Sequence, residues 1–344
     1  MDILITGGCG FIGSNLSIFL KKNNLNVFTL DNLYRTGSKF NLLRLKQNKI
    51  KNFKIDIRDN NLLKKLPKFD LVIDCCAEPS VESSRKSEAE SRRVFETNLV
   101  GTFNIVQKCV KDNSKLIFLS TSRVYSIIKL KKYTKFINSI TYNIAKINLI
   151  DEDFDTSGPL SLYGYSKLSS ENLITEFSYS HGLEFIINRF GVVSGPWQFG
   201  KTDQGFVSFW CWNFLNKKKL IYKGYSGKGS QIRDLLHVND LCELLLMQIK
   251  NFPKVKNETF AIGGGKENFI NLRQLSKEIE SLTNIKKNIK GDNAVSIYDV
   301  PYYISSNRKI FKYLKWKPKY SVIDILVDVI NWQVENKKKL LKYF

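Results

Sequence analysis

The sequence predicts an α/β protein built on a Rossmann-type, doubly wound parallel sheet, with a smaller, mostly C-terminal second domain. Three observations carry this prediction. An apolar strand, a glycine-rich turn and an amphipathic helix open the chain. Strands and single helices then alternate regularly to about residue 125, as they do in parallel sheets. Beyond about residue 190 the alternation is lost, which indicates a second, less regular domain.

The N-terminal segment predicts a dinucleotide site. Residues 3–5 form an apolar run typical of a strand that is buried on both faces. Gly7, Gly10 and Gly13 follow, and such a turn lets backbone N–H groups approach a pyrophosphate at the helix N-terminus. Asp31 ends the next predicted strand, at 26–30. Its carboxylate can bind ribose hydroxyls and repel a 2′-phosphate, which favours NAD over NADP.

Two basic residues keep the choice of dinucleotide open. Arg35 and Lys39 lie just after Asp31, where a 2′-phosphate would need positive partners. We therefore expect NAD and retain NADP as the alternative.

Composition places the chain among globular proteins and excludes several other classes. Its 344 residues are 43% hydrophobic, enough for a large core. The sequence has no apolar run of the roughly eighteen residues that a membrane span needs and no export signal, so we expect a cytoplasmic protein without a membrane partner. The six cysteines form no C-x-x-C pair, which predicts reduced thiols and no metal site.

The positive charge does not by itself predict a nucleic-acid partner. Lys and Arg outnumber Asp and Glu by 54 to 32, a net charge of +22. The lysine clusters are dispersed along the chain and come with neither a recognition motif nor an aromatic-basic platform, so we expect no nucleic acid. A basic surface would still attract an anionic substrate.

The remaining elements divide the chain into two interleaved domains. Residues 1–190 are predicted to form the dinucleotide-binding domain, with return segments near 235–262, and residues 191–344 a substrate-binding domain. Residues 126–159 are predicted to be a long insertion with little regular structure, for which a cover over the site is one possible function. Further strands are predicted at 53–57, 70–74, 115–119 and 184–189, and helices at 90–109, 160–181, 206–215, 237–247, 272–282 and 321–336.

Tyr-x-x-x-Lys at the start of a predicted helix indicates acid–base chemistry. Tyr163 and Lys167 stand four residues apart and therefore share one helix face. A nearby ammonium and an oxidised nicotinamide ring would both favour the phenolate of Tyr163. Thr121, at the end of the fifth strand, can hold a substrate hydroxyl in line with that phenol. We predict that these three residues are catalytic.

With these motifs the chain resembles the extended short-chain dehydrogenase/reductase family, the NAD-dependent nucleotide-sugar epimerases and dehydratases. The likeness covers nearly the whole chain and includes GGCGFIG at the N-terminus, Tyr163 with Lys167, and Arg233-Asp234. Within this family the chain is most similar to the CDP-paratose 2-epimerases, also called CDP-tyvelose epimerases. The stretches that carry this likeness are TSRVYS (121–126), SLYGYSK (161–167), NRFGVVSGPWQFGKTDQG (188–205), QIRDLLHVNDLC (231–242) and DVPYYISSNRKI (299–310).

The resemblance implies a role for each matching residue. Asp31 would bind the adenosine ribose, Asp56 and Ile57 the adenine, and Arg233 the substrate diphosphate. The implied cofactor contacts are Gly7, Gly10, Phe11, Ile12, Gly13, Asp31, Asn32, Asp56, Ile57, Ala77, Asn98, Tyr163 and Lys167. The implied catalytic residues are Thr121, Tyr163 and Lys167, and the implied substrate contacts are Thr121, Gln198, Gln204 and Arg233, with Asp203 and Gly205 beside Gln204.

Simpler explanations stay open for several of these residues. Asp56 could cap the helix after the third strand, and Arg233 could form an ion pair with Asp234 that bridges the domains. His237 is predicted to be a structural hydrogen-bonding residue rather than an acid or base. Glu78 follows the fourth strand, could point to solvent, and receives no role.

The resemblance implies an epimerase with tightly bound NAD that oxidises and re-reduces C2 of a CDP-linked dideoxyhexose. The alternatives are a 4-epimerase, decarboxylase or reductase acting on a UDP- or dTDP-sugar, and a non-catalytic nucleotide-binding regulator. Dehydratases of the family carry Asp-Glu directly after the catalytic Thr. Ser122 and Arg123 stand there in this chain, which disfavours elimination of water. By analogy we also expect a homo-oligomer, a dimer or tetramer, formed through the helices near 90–109 and 161–181.

Overall fold

The computed structural model describes residues 1–136, 147–202 and 204–344, and these form two compact units. The centre of the predicted insertion, residues 137–146, and Asp203 lie outside the described residues. The first unit comprises Met1–Val124, Ser161–Arg189 and Cys242–Phe260, and the second comprises Tyr125–Leu160, Phe190–Leu241 and Ala261–Phe344.

The strands are numbered in chain order. They are β1 (Asp2–Thr6), β2 (Asn26–Leu30), β3 (Lys51–Phe53), β4 (Leu71–Asp74), β5 (Lys115–Thr121), β6 (Phe185–Phe190), β7 (Val192–Ser194), β8 (Ile221–Lys223), β9 (Ile232–His237), β10 (Glu258–Ile262), β11 (Phe269–Asn271), β12 (Lys290–Asp292) and β13 (Tyr302–Tyr303).

The main sheet confirms the predicted doubly wound fold. Within the described residues it has seven strands in the order β10-β6-β5-β4-β1-β2-β3. The neighbours of β1, β2 and β4 pair in parallel, so their carboxyl ends meet at one edge. The chain order reverses between β1 and β4, and ligands of such sheets bind at the carboxyl edge beside this point. The sheet therefore positions the glycine turn, which follows β1, at the expected site.

Helices connect these strands. They are α1 (Phe11–Lys22), α2 (Ser38–Gln47), α3 (Asn60–Leu63), α4 (Ser83–Lys86), α5 (Glu88–Phe95), α6 (Gly101–Asp112), α7 (Ile127–Lys131), α8 (Leu162–His181), α9 (Phe206–Leu215), α10 (Val238–Lys250), α11 (Phe252–Val255), α12 (Leu272–Thr283), α13 (Arg308–Leu314), α14 (Val322–Glu335) and α15 (Lys337–Leu340).

Two elements differ from the sequence prediction. The strand predicted at 53–57 is wrong at its C-terminal end, because the chain turns after β3 and the Ile55 N–H donates to the Phe53 carbonyl. The helix predicted at 90–109 is interrupted between α5 and α6 by a five-residue π-helical segment, Glu96–Val100. π-Helical turns are rare and occur often at functional sites.

The second unit has its own core and, within the described residues, two small sheets of its own. Strand β9 pairs with β7, β11 and β13, and β8 pairs with β12. The aromatic helix α9 is core rather than surface, since Trp210 and Phe214 are buried in a cluster with Ile325 and Val329 of α14. This cluster stabilises the unit by removing apolar surface from water.

The described part of the insertion contains more structure than predicted. It begins with α7 and a 3₁₀ segment, Lys132–Phe136, and Ile127 and Leu130 are buried at helical spacing. Farther on, the Ile150 N–H donates to the Ile304 carbonyl, and the Tyr302 hydroxyl donates to the Asn148 carbonyl. Both ends of the insertion are thus integrated into the second unit.

This packing predicts unequal costs for two similar truncations within the insertion. Ile150 is 1% exposed, so Ile150→Ala should lower the free energy of unfolding by about 2–5 kcal/mol. Ile128 is 53% exposed, and Ile128→Ala should change it by no more than about 0.5 kcal/mol. Urea unfolding of the two variants measures the difference. Equal, small effects would show that the insertion is not packed as described.

Candidate active site

The glycine turn after β1 forms a cradle that only glycine can supply. Gly7 has a φ of +60°, and a Cβ there would lie 2.9 Å from the Cys75 carbonyl oxygen. A Cβ on Gly13 would lie 2.3 Å from the Gly7 carbonyl oxygen. Gly10 caps α1 without a side chain, so the first N–H groups of the helix stay open to an anion. The turn therefore fits a pyrophosphate group.

The Asp31 carboxylate is held beside this turn by backbone donors. It accepts hydrogen bonds from the N–H of Cys9 at 3.0 Å and from the N–H of Leu33 at 2.7 Å. Burial raises the pKa of Asp31, while these two N–H groups and the charge of Arg35 oppose the rise. Asp31 is thus fixed at the end of β2, as a ribose-binding carboxylate would be.

Asn32 and Asp56 are joined on the same side of the sheet. The Asn32 amide donates to Asp56 at 2.8 Å, and Arg58 donates to the same carboxylate at 2.9 Å. Mainly through the hydrogen bond from Arg58, the pKa of Asp56 falls to about 2. Asp59 is the residue that caps α3, by accepting from the Leu62 N–H. The alternative that Asp56 is a helix cap is therefore wrong.

Asn98 connects the loop after β4 to helix α8. Its side chain exchanges two hydrogen bonds with the backbone of Glu78, at 2.7 and 3.1 Å, and donates a third to the Ser166 hydroxyl at 3.0 Å. Asn98 is fully buried and lies in the π-helical segment. It thereby fixes the backbone beside Ala77 relative to α8.

The structure brings Thr121 and Tyr163 together. Thr121 ends β5, and its side chain lies close enough to the Tyr163 phenol, on the first turn of α8, to influence the pKa of that phenol. Burial raises the pKa of Tyr163, and Thr121, Arg123 and Arg35 oppose that rise. Within the chain alone the phenol thus stays protonated. The sequence predicted that the ammonium of Lys167 lowers the pKa of Tyr163. In the structure, Lys167 is not among the groups that lower the pKa of Tyr163.

Lys167 is buried one helical turn after Tyr163. It is 1% exposed, and its ammonium lies 3.8 Å from the centre of the Phe118 ring. Burial lowers the pKa of Lys167, and the carboxylate of Asp74, itself fully buried, is the strongest influence in the opposite direction. A buried ammonium in apolar surroundings is costly unless a ligand or counter-charge compensates it.

Sequence reasoning missed a buried ion pair behind these residues. Glu171 binds Arg189 through two hydrogen bonds to Oε2, at 2.7 and 3.0 Å, and also accepts from the Ser120 hydroxyl. Ser120 precedes Thr121, and Glu171 stands four residues after Lys167. The pair thus ties α8 to the ends of β5 and β6. The spacing Tyr163-Lys167-Glu171 on one helix face was the signal that could have revealed it.

Arg233, the predicted diphosphate ligand, lies in β9 of the second unit. It contacts Asp299 at 3.2 Å and donates to the Val300 carbonyl at 2.7 Å. Asp234 instead accepts from the backbone N–H groups of Gly265 and Ser305. The alternative of an Arg233–Asp234 ion pair is therefore wrong.

The two predicted glutamines lie near each other in the second unit. The Gln198 amide donates to the Val193 carbonyl at 3.1 Å and accepts from the Ser194 hydroxyl at 3.2 Å. The Gln204 backbone pairs with Lys201, and a Cβ on Gly205 would lie 3.0 Å from the Gln198 side chain. Gln198 thus shapes the turn that contains Gln204.

His237 is part of the second unit's interior. The ring is fully buried and stacked on Tyr320, with ring centres 4.3 Å apart. Nδ1 accepts from the Asn239 N–H at 3.0 Å, and Nε2 lies 3.3 Å from Asp328. Burial lowers the pKa of His237. These contacts agree with the structural role predicted for it.

The described ranges are 1–136, 147–202 and 204–344. No set of three or more His, Cys, Asp or Glu side chains there is arranged to hold a metal ion. Nor does any helix in those ranges combine the length and apolarity that crossing a membrane requires.

The chain is similar to known proteins over most of its length. The model of the NAD dependent epimerase/dehydratase family matches residues 3–263. The chain is 30% identical to the CDP-paratose 2-epimerase of Salmonella typhi, covering 96% of this chain and 99% of that protein. It is 31% identical to a putative UDP-glucose 4-epimerase of Methanocaldococcus jannaschii, over 98% of this chain and 99% of that protein.

Solved structures show the same architecture. The UDP-glucose 4-epimerase of Thermotoga maritima, crystallised with UDP-glucose, superposes with a TM-score of 0.82 at 26% identity. The match covers 98% of this chain and all of that one. Pal from Bacillus thuringiensis superposes with a TM-score of 0.81 at 26% identity, over 97% and 99% of the two chains.

The Glu171–Arg189 pair predicts a large stability difference between two substitutions in α8. Glu171→Gln removes one partner of a buried ion pair and should lower the free energy of unfolding by about 3–5 kcal/mol. Glu176→Gln, on the exposed side of the same helix, should change it by at most about 0.5 kcal/mol. Chemical denaturation compares the two. A loss below about 1 kcal/mol for Glu171→Gln would contradict the structural role of the pair.

Proposed function

Since the chain belongs to the NAD-dependent epimerase/dehydratase family, we propose that it is a nucleotide-sugar epimerase acting by transient oxidation and re-reduction of one sugar carbon. The observation that carries the proposal is the proximity of the Thr121 side chain to the Tyr163 phenol, with Lys167 buried one turn away. A phenol, a hydroxyl and an ammonium in this arrangement can remove and return the proton of a sugar hydroxyl.

The residues of the first unit fit NAD. The glycine turn would take the pyrophosphate through the backbone of Gly10, Phe11 and Ile12, where α1 begins without a capping side chain. Asp31 and Asn32 would take the adenosine ribose, and the backbone around Asp56 and Ile57 would take the adenine. Asn98 would act indirectly, because all its side-chain hydrogen bonds go to Glu78 and Ser166.

When bound, NAD supplies a reversible hydride acceptor and a positively charged ring. Lys167 would hold the nicotinamide ribose, since its side chain is buried one helical turn after Tyr163 and its ammonium lies against the Phe118 ring. Tyr163 would take the proton of the sugar hydroxyl and later return it, and Thr121 would orient that hydroxyl. Because burial raises the pKa of Tyr163, the phenolate would depend on positive charge brought next to it.

Epimerisation fits these residues better than dehydration. Elimination of water requires groups that remove a carbon-bound proton and protonate the leaving hydroxyl. Ser122 and Arg123 follow Thr121, and neither has a carboxylate that could transfer these protons. Arg123 instead stabilises negative charge on Tyr163.

For the substrate, we propose a CDP-linked deoxyhexose inverted at C2, as the name of the Salmonella typhi relative indicates. The second candidate is a UDP-sugar inverted at C4, favoured by the Methanocaldococcus jannaschii relative at 31% identity. In either case Arg233 would bind the diphosphate with its planar guanidinium, after exchanging its contact with Asp299 for the phosphate oxygens.

The direct test is a pair of tyrosine variants assayed with CDP-, UDP-, GDP- and dTDP-sugars. Tyr163→Phe should lower the rate of epimerisation by about 10²–10⁴-fold, because the proton-transfer group is lost, while NAD stays bound. Tyr165→Phe, two residues along and 48% exposed, should keep nearly full activity. Equal rates for the two variants would remove Tyr163 from the reaction, and turnover of only non-CDP sugars would favour the second candidate.

A further inference from the structure

Two loops of the first unit flank the glycine turn. Strand β1 lies between β4 and β2, so the loops after β4 and β2 stand on either side of the turn after β1. On one side, a Cβ on Gly7 would lie 2.9 Å from the Cys75 carbonyl oxygen. On the other side, the Cys9 N–H donates to Asp31. We call the space over the turn, between these two loops, the cofactor groove, and the two loops its walls.

An ion pair joins the two walls. Arg35, from the loop after β2, donates to Glu78, from the loop after β4, at 2.8 Å. The side chains are 35% and 18% exposed, so the pair is partly shielded from solvent. A second contact runs in the same direction, since the Arg93 guanidinium of α5 lies 3.8 Å from the centre of the Tyr34 ring. Both contacts thus join a residue that follows β2 to a residue that follows β4.

Each end of the ion pair is anchored. The Glu78 backbone exchanges two hydrogen bonds with the buried side chain of Asn98. On the opposite wall, the side chains of Asp31 and Asn32 accept from the N–H groups of Leu33 and Tyr34 and so fix the loop before Arg35. The backbone on both sides is therefore fixed, and breaking the ion pair requires the side chains of Arg35 and Glu78 to separate.

We propose that the Arg35–Glu78 ion pair is a clasp across the cofactor groove, which retains the bound dinucleotide and must open for its exchange. The inference rests on the proposed function, in which the same NAD molecule is used for oxidation and for re-reduction. An epimerase that released its cofactor between these steps would abandon an oxidised sugar, so slow exchange serves the reaction. The clasp gives Glu78, for which the sequence predicted no role, the function of holding Arg35.

The pair also explains how Arg35 can lie near an NAD site without selecting NADP. A guanidinium that is already bound to a carboxylate has fewer donors left for a 2′-phosphate. The charge of Arg35 opposes the rise in the pKa of both Asp31 and Tyr163, which agrees with a position of Arg35 over the groove.

The test is the release of NADH from the full-length protein, followed by fluorescence after mixing with excess NAD. Glu78→Gln should release NADH about fivefold faster than the unaltered protein, a value typical of a partly exposed ion pair. Arg35→Gln should have the same effect, and the double variant should be no faster than either single one, because both remove one contact. Glu82→Gln is the matched control, since Glu82 contacts Arg85 within the same loop region.

Salt gives a second readout that needs no variant. Raising the ionic strength should accelerate release from the unaltered protein more than from Glu78→Gln, because only the former has the ion pair to screen. If both variants bind NADH and Glu78→Gln releases it no faster than Glu82→Gln does, the clasp is overturned and the proposed function is unaffected. Failure of the unaltered protein to bind any dinucleotide would overturn both.

Discussion

The placement of the Tyr163 phenol against the end of β5 is the constraint on which the proposed chemistry of this protein depends. Two hydroxyl groups, three and seven residues after Tyr163 on α8, fix it, since Ser166 accepts from the Asn98 amide and Ser170 donates to the Asn98 carbonyl. Glu171, the residue after Ser170, accepts from Ser120. Contacts on two successive turns leave the helix little freedom to rotate, and the phenol keeps its place beside Thr121.

The first unit also buries several charged side chains. Asp74, Lys167 and Glu171 all lie in the interior of the first unit, and each requires a partner to offset the cost of leaving water. Asp74 accepts from the hydroxyls of Thr6 and Thr102, and Glu171 has Arg189. Lys167 faces the Phe118 ring, and the negative charges of Asp74 and Glu171 favour its ammonium form.

Sequence reasoning succeeded where a local pattern has one physical solution. The apolar run at 3–5, the glycines after it and the alternation of strands led to the doubly wound sheet, and the i, i+4 spacing placed Tyr163 and Lys167 on one face of α8. It failed where the partner is distant in the chain. Glu78 and Arg35 are 43 residues apart, and Glu171 and Arg189 are on different elements. Helical spacing can place Glu171 on the same face as Lys167, but no local pattern identifies the distant partner of either carboxylate, because only the folded sheet brings the partners together.

The most direct measurement of the central claim is the isotopic content of the product formed in deuterated water. If hydride leaves the sugar carbon and returns to it from the same cofactor molecule, mass spectrometry should find no deuterium bonded to carbon in the epimerised sugar. One carbon-bound deuterium per turnover would mean that a proton exchanged with solvent at that carbon, and the account of oxidation and re-reduction would be contradicted.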